Sequence, residues 1–325
     1  MNTTINGSSC FSPLNSTAAK LGKTVAYCLI FVVSLVGNSL TAIVVYKTQT
    51  LRKPINYFIV NMAMSDLLYP IFWMPMSVTV LFLDSWPIGG SLGQALCKLG
   101  PFLGNTSVVV SIQSLVLIAV DRFGAVVFPL RSPLISSKMC PFFILATWIV
   151  AVAVISPNWF AFKLVEYPGK LACESRWNEA FGESSSFANY LLASHVRFLF
   201  VPTVLLVILY STIVIKLKSQ KIPGEQSVNA EQQRAKRNRN VLKMAIAIVA
   251  GFVLFWVPLS ITSLLLLFAW ESDRTLPCGL YLYYDTAIFI SRLSFAINPC
   301  ICFTFCGNYR QGLKRLLKCF NRVQG

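Results

Sequence analysis

Long apolar windows recur along the chain, at about residues 22–46, 55–83, 98–128, 138–162, 189–217, 239–269 and 280–305, with polar connections between them. A helix rises about 1.5 Å per residue and the hydrocarbon core of a bilayer is about 30 Å thick, so each window is long enough to cross it. A helix also hides every backbone polar group of a crossing segment from lipid. Seven crossings put the two ends of the chain on opposite sides. The segment 220–233, with Pro223, Gly224, glutamines and serines, is expected to be a flexible connection between the fifth and sixth windows. After the last window Tyr309, Leu313, Leu316, Leu317 and Phe320 recur at helical spacing with Arg310, Lys314, Arg315 and Lys318 between them. Residues 306–321 are therefore expected to form an amphipathic helix lying on anionic lipid. The fold class this predicts is an all-α membrane protein: a tail at 1–21, a seven-helix bundle at 22–305, and a short amphipathic eighth helix with the C-terminus at 306–325. No repeat and no second domain is evident.

Composition agrees with the pattern. The chain is 55% hydrophobic and 12% charged, against about 45–50% and 25% for soluble domains. Its formal charge of +16 would point to nucleic acid in a soluble protein, but here the bases gather in connections on one side. Lys47, Arg52, Lys53, Arg131, Lys138, Lys216, Lys218, Lys221, Arg234, Lys236, Arg237, Arg239, Lys243, Arg310, Lys314, Arg315 and Lys318 mark the cytoplasmic side, with only Lys20 and Lys23 opposing them at the first span. No nucleic-acid partner is expected. The opposite loops carry Asp84, Glu166, Glu174, Glu179, Glu183, Glu271, Asp273 and Asp285, which predicts an acidic outer mouth. The polar tail lacks the apolar stretch of a cleaved leader. Its acceptor patterns at Asn2, Asn6 and Asn15 predict glycosylation and an extracellular N-terminus, whereas the pattern at Asn105 falls inside a span and is chance.

Ten cysteines form no paired-spacing framework. Cys28, Cys140, Cys300 and Cys302 lie in or next to spans and are expected to act as small hydrophobes. Cys10, Cys97, Cys173 and Cys278 lie in outer segments and can pair if that face is oxidising. One histidine, no metal-ligand spacing and no phosphate loop leave enzyme chemistry without support. The odd span count and lack of repeats argue against a transporter, and the absence of a filter or charge ring against a channel.

Polar residues inside spans are costly and point to function. Asp66 is the clearest, with Asn38, Ser111, Ser294 and Asn298 at depths from which they can meet it. A carboxylate with such neighbours suits a small hard cation such as sodium. A helix over 97–122 would be about 37 Å long, so Cys97 and the triplet Asp121-Arg122-Phe123 belong at opposite membrane faces. Gly37-Asn38, Asp66, that triplet, Trp148, Pro202 with Tyr210, Phe255-Trp256-Val257-Pro258 and Asn298-Pro299 fall one set per span. Taken in order they resemble the signature of rhodopsin-like G-protein-coupled receptors, over about residues 20–321, nearly the whole chain.

The resemblance implies several roles. Cys97 would pair with Cys173, leaving Cys10 with Cys278 as a further bridge. Asp66, Ser111 and Asn298 would hold an allosteric sodium ion, the only cofactor expected. Arg122, held by Asp121 at rest, would be uncovered when the inner half of the sixth helix swings about the kink at Pro258, with Trp256 sensing the ligand. The C-terminal helix of a heterotrimeric G protein alpha subunit would then insert, with Leu130 filling an apolar pocket on it. Cys319 is the expected palmitoylation site. No Ser or Thr follows Thr304, so arrestin docking would use the third inner loop. Phe123 and Phe255 replace a usual tyrosine and cysteine. More consequential, Cys302 stands where the family has the tyrosine that latches to Tyr210 in the open state, and a thiol is a weak donor. Asn238 stands where some relatives carry an acid that clamps Arg122.

Gly104 and Asn105 occupy the place of the aspartate that binds amines, and Arg292 that of the lysine that binds retinal, so neither ligand is expected. The long outer loop 163–187 and Trp86 resemble those of neuropeptide receptors. Candidate ligand contacts are Gln94, Asn105, Glu174, His195, Arg197, Trp256, Asp285 and Arg292. Acidic loops would attract a basic peptide, such as one ending in an arginine-aromatic amide. A lipid or small-molecule ligand is the alternative within the class. The expected location is the plasma membrane.

Overall fold

The computed structural model describes residues 16–128, 134–182, 186–219, 228–271 and 278–323. Leu130, Cys10, Asn2, Asn6 and Asn15 lie outside these residues, and so do the side chains of Asn238, Cys278 and Cys319. The spans are α1 (Thr17–Lys47), a second made of α2 (Pro54–Asp66), α3 (Leu68–Phe72) and α4 (Met74–Leu83), then α5 (Gly90–Val127) and α6 (Cys140–Ala161). A hairpin of β1 (Phe162–Tyr167) and β2 (Lys170–Ser175) and the short α7 (Trp177–Phe181) follow. The fifth span joins α8 (Phe187–His195) to α9 (Val201–Ser219), the sixth is α10 (Val228–Glu271), and the seventh is α11 (Cys278–Arg292) with α12 (Ser294–Phe305). Six spans are single apolar runs, and α11 with α12 makes the seventh through a 42° bend. The amphipathic helix is α13 (Gly307–Val323).

Prolines explain most of the irregularity, because each withholds one N–H from its helix. The second span breaks at Leu67 and Trp73, beside Pro70 and Pro75. In the fifth, a π-turn over Val196–Phe200 precedes Pro202. The sixth helix starts inward of the apolar window, at Val228, because 228–240 is rich in Ala, Glu, Gln, Arg and Lys, which propagate a helix without lipid around it.

The hairpin is the element the outer loop 163–187 was not expected to hold. It runs antiparallel from Phe162↔Ser175 to Tyr167↔Lys170. Pro168 and Gly169 close it, Gly169 at φ +78°, as a turn with proline first and a left-handed glycine second requires.

The outside of the bundle is apolar. Leu29, Phe142, Ile215 and Leu254 are each more than 60% exposed, which water would penalise and lipid does not. Inside, one cluster runs from Val44 and Phe58 through Ile112, Leu115 and Ile118 to Tyr210, Ile213, Ile248 and Cys302, with α5 at its axis. Tyr309 is fully buried and donates to Asn56 Oδ1 at 3.0 Å, pinning α13 under the second span. Burial pushes its hydroxyl well above the ordinary tyrosine range, so it stays a donor.

A close contact joins the first and seventh spans. A Cβ on Gly37 would lie 2.7 Å from Cγ of Pro299, a rigid ring that cannot turn aside. Overpacking of this kind costs about 1–3 kcal/mol. Gly37→Val should therefore lower the melting temperature of the detergent-purified protein, measured by thiol-dye fluorescence, while Gly22→Val, with nothing within 4 Å, should leave it unchanged.

Candidate functional site

At the outer end the hairpin lies across the bundle mouth and is tied down in three ways. A disulfide joins Cys97 of α5 to Cys173 of β2. Gln94 Oε1 accepts from the Leu164 N–H at 2.9 Å, so this candidate ligand contact braces β1. The Trp86 N–H donates to the Leu171 carbonyl at 2.7 Å. Beneath lie three cavities of about 500, 390 and 250 Å³. The outermost is walled by Tyr27, Tyr69, Trp73, Trp86 and Arg292 and also touches Glu174. It shares Tyr69, Trp73 and Arg292 with the middle one, which shares Asn105, His195, Trp256 and Ser260 with the deepest. The three form a continuous vestibule.

Of the expected ligand contacts, Asn105, Glu174, His195, Trp256 and Arg292 line this space. The His195 ring also bonds the Leu191 carbonyl through Nδ1 at 2.8 Å. Asp285 is instead taken by Lys23 at 2.7 Å. Three more of the described outer acids are paired in the same way: Asp84 with Lys20, Glu174 with Arg176 and Glu179 with Lys163, at 3.0 to 3.3 Å. Lys20 and Lys23 sit one helical turn apart at the outer end of α1 and reach acids on the second and seventh spans, neighbours that a one-dimensional charge count does not see. These four carboxylates are therefore partnered within the receptor itself.

At mid-depth Trp256 is the floor. It lines the middle and deepest cavities and also a small one of about 20 Å³ on the inner side, with Asp66, Ser111, Ser294 and Asn298. Ser111 Oγ donates to Asp66 Oδ1 at 2.5 Å and Asn298 Nδ2 to Oδ2 at 2.8 Å, so the second, third and seventh spans meet on one carboxylate. The space holds one water-sized particle. Its oxygens, a carboxylate and two serine hydroxyls, are the donor type a hard cation takes, so the residues fit a single small ion.

Asn38 does not join Asp66. Its amide donates to the Phe295 carbonyl at 2.9 Å, as does Ser34 Oγ. The cause is Pro299: lacking an N–H, it leaves the carbonyl four residues back without its helical donor, and the first span supplies two. Asn61 was missed as a site residue. It accepts from Trp148 Nε1 at 2.8 Å and donates to Ser114 at 2.9 Å, linking the second, third and fourth spans. Its signal was available, since it is an amide in mid-span like Asn38. Tyr69 and Trp73, the vestibule's aromatic wall, carried no comparable signal, because large apolar-faced residues are the norm in a span.

At the inner end Arg122 Nε donates to Asp121 Oδ2 at 3.0 Å, and the carboxylate is buried. Tyr210 is buried, and its hydroxyl has no partner among the described residues. Cys302 is fully buried with a free thiol.

A family model described as 7 transmembrane receptor (rhodopsin family) matches residues 37–301. The RYamide receptor of Drosophila melanogaster is 32% identical over 244 residues, 74% of this chain and 52% of that protein. The QRFP-like peptide receptor of Branchiostoma floridae is 31% identical over 255 residues, 76% and 65% of the two chains. Neuropeptide FF receptor 2 of Rattus norvegicus is 28% identical over 299 residues, 89% and 70%. The chain thus spans about half to two thirds of the length of the first two relatives.

Trp148→Phe should cost about 1–3 kcal/mol, because it leaves the buried Asn61 carbonyl without its donor. The loss, read as melting temperature, should shrink when Trp148→Phe is made in an Asn61→Leu background, where no polar group is orphaned.

Proposed function

The chain belongs to the rhodopsin family of seven-transmembrane receptors, and from that premise we propose that it is a peptide receptor of the plasma membrane that activates a heterotrimeric G protein. Its N-terminus faces outward. The observation that carries the reading is the continuous vestibule under a disulfide-tethered hairpin, floored by Trp256, whose other side walls the Asp66 cavity. The relatives named for RYamide, a QRFP-like peptide and neuropeptide FF support a peptide as the ligand.

In this mechanism a peptide entering the vestibule presses on Trp256. The ring packs edge-on against Phe295, 6.2 Å between centroids, so its displacement is transmitted to the seventh span beside Asn298. At rest Asp66, Ser111 and Asn298, with Ser294 on the same cavity wall, would hold a sodium ion, whose charge would favour the closed packing of the second, third and seventh spans. Pro258 lies two residues beyond Trp256 and lacks the N–H that would stiffen α10 there, so the inner half of α10 moves outward. Arg122 leaves Asp121 and meets the inserted helix of the alpha subunit, with Leu130 as an apolar contact. Arrestin docks through the third inner loop, α13 rests on anionic lipid, and a palmitoyl chain on Cys319 fixes it there.

The test is nucleotide exchange on purified G proteins in membranes holding this receptor, against synthetic peptide libraries. At least one peptide should stimulate exchange, and Arg122→Ala should abolish it; activation confined to lipids or small organic molecules would overturn the peptide reading. Because Tyr210 has no partner and Cys302 offers only a thiol, the open state lacks its latch. Cys302→Tyr should raise the maximal agonist response in the same assay, and an unchanged maximum would contradict this part of the mechanism.

A further inference from the structure

The Arg292 cation in the vestibule has no counter-charge among the described residues. The Arg292 guanidinium is half-buried on the seventh span, 4.5 Å from the Tyr69 ring centroid, and lines both the outermost and the middle cavity. It makes no ion pair or hydrogen bond with any described residue. Three of the described carboxylates near the mouth are engaged elsewhere: Asp285, two turns away on the same helix, by Lys23, Asp84 by Lys20, and Glu174 by Arg176. Tyr27, Trp73 and Trp86 add aromatic faces to the wall of the outermost cavity.

An ionisable residue at membrane depth is retained for a purpose, and an unpaired charge away from water is costly. Tyr69 stacking relieves part of that cost but supplies no acceptor. A guanidinium presents a flat fork of N–H groups that matches a carboxylate two bonds at a time. Taking as given that the vestibule is the ligand site, we propose that Arg292 is the anchor for a carboxylate on the ligand, with the surrounding aromatic rings holding an adjacent aromatic group. The carboxylate comes from a free peptide C-terminus or an acidic side chain. This specificity is opposite in sign to the one the loop charges suggested.

The experiment needs no known agonist. N-acetylphenylalanine, which carries a carboxylate beside an aromatic ring, is compared with its neutral amide, N-acetylphenylalaninamide, as ligands of the purified receptor, with affinity read from melting temperature against concentration. A charge-assisted bidentate contact predicts that the acid binds at least about tenfold more tightly than the amide. Arg292→Gln should erase that preference, and Arg292→Lys should keep part of it. Equal affinities for the wild-type receptor, a comparison that requires no variant to fold, would overturn the proposal; so would a preference that survives in Arg292→Gln. An acid preference without any active peptide in the library screen keeps the anchor and removes the peptide reading, and an active peptide without an acid preference does the reverse. Once a peptide agonist is in hand, exchanging its C-terminal acid for an amide, and separately its acidic side chains for amides, identifies which carboxylate Arg292 holds.

Discussion

Pro299 withholds the N–H that the Phe295 carbonyl would accept, and inside a bilayer no water replaces it. Ser34 and Asn38 of the first span fill that vacancy. Gly37, between them in sequence, lets the two helices approach until a methyl group would collide with the proline ring. The same demand for partners explains Asp66, whose two oxygens are met by Ser111 and Asn298, and Asn61, met by Trp148 and Ser114. Five of the seven spans are stitched through these few groups. In a membrane, where lipid is as apolar as leucine, such bonds and close contacts do the joining that burial of apolar area does in water.

Function follows from where that stitching stops. Among the described residues the sixth span gives no hydrogen bond to the polar centre and meets it through Trp256, whose ring packs on Phe295 of the seventh span and on Phe252 of its own helix, and through the small cavity. It also carries Pro258 in mid-helix. A span held by packing alone, with one backbone bond missing, is the one free to swing. Trp256 stands where outer vestibule and inner cavity share a wall, so occupancy on one side changes the space on the other.

Much of this was legible in the sequence. Seven windows of adequate length fixed the number of crossings, and polar residues in mid-span marked Asp66 and Asn298, because both signals arise from the cost of polar groups in lipid. What stayed hidden depends on pairings between distant segments. Asn38 looked like a partner of Asp66 until the carbonyl freed by Pro299 claimed it. The outer carboxylates looked like an open acidic field until Lys20 and Lys23 reached across from the first span. That Gln94 also braces β1 was hidden, since the hairpin it supports was masked by a loop of mixed composition. Pro168-Gly169 was the overlooked local cue, a turn whose backbone only proline and glycine adopt so readily.

The central claim is that agonist occupancy of the vestibule swings the inner half of α10 about Pro258. The direct measurement is the electron–electron distance between spin labels at Arg52 and Lys243, both exposed on the inner side, with the exposed Cys28 and Cys300 replaced by serine. The distance should lengthen when an activating peptide and G protein are added, and should lengthen less in a Pro258→Ala variant. Nucleotide exchange that proceeds while the distance stays the same would contradict the account.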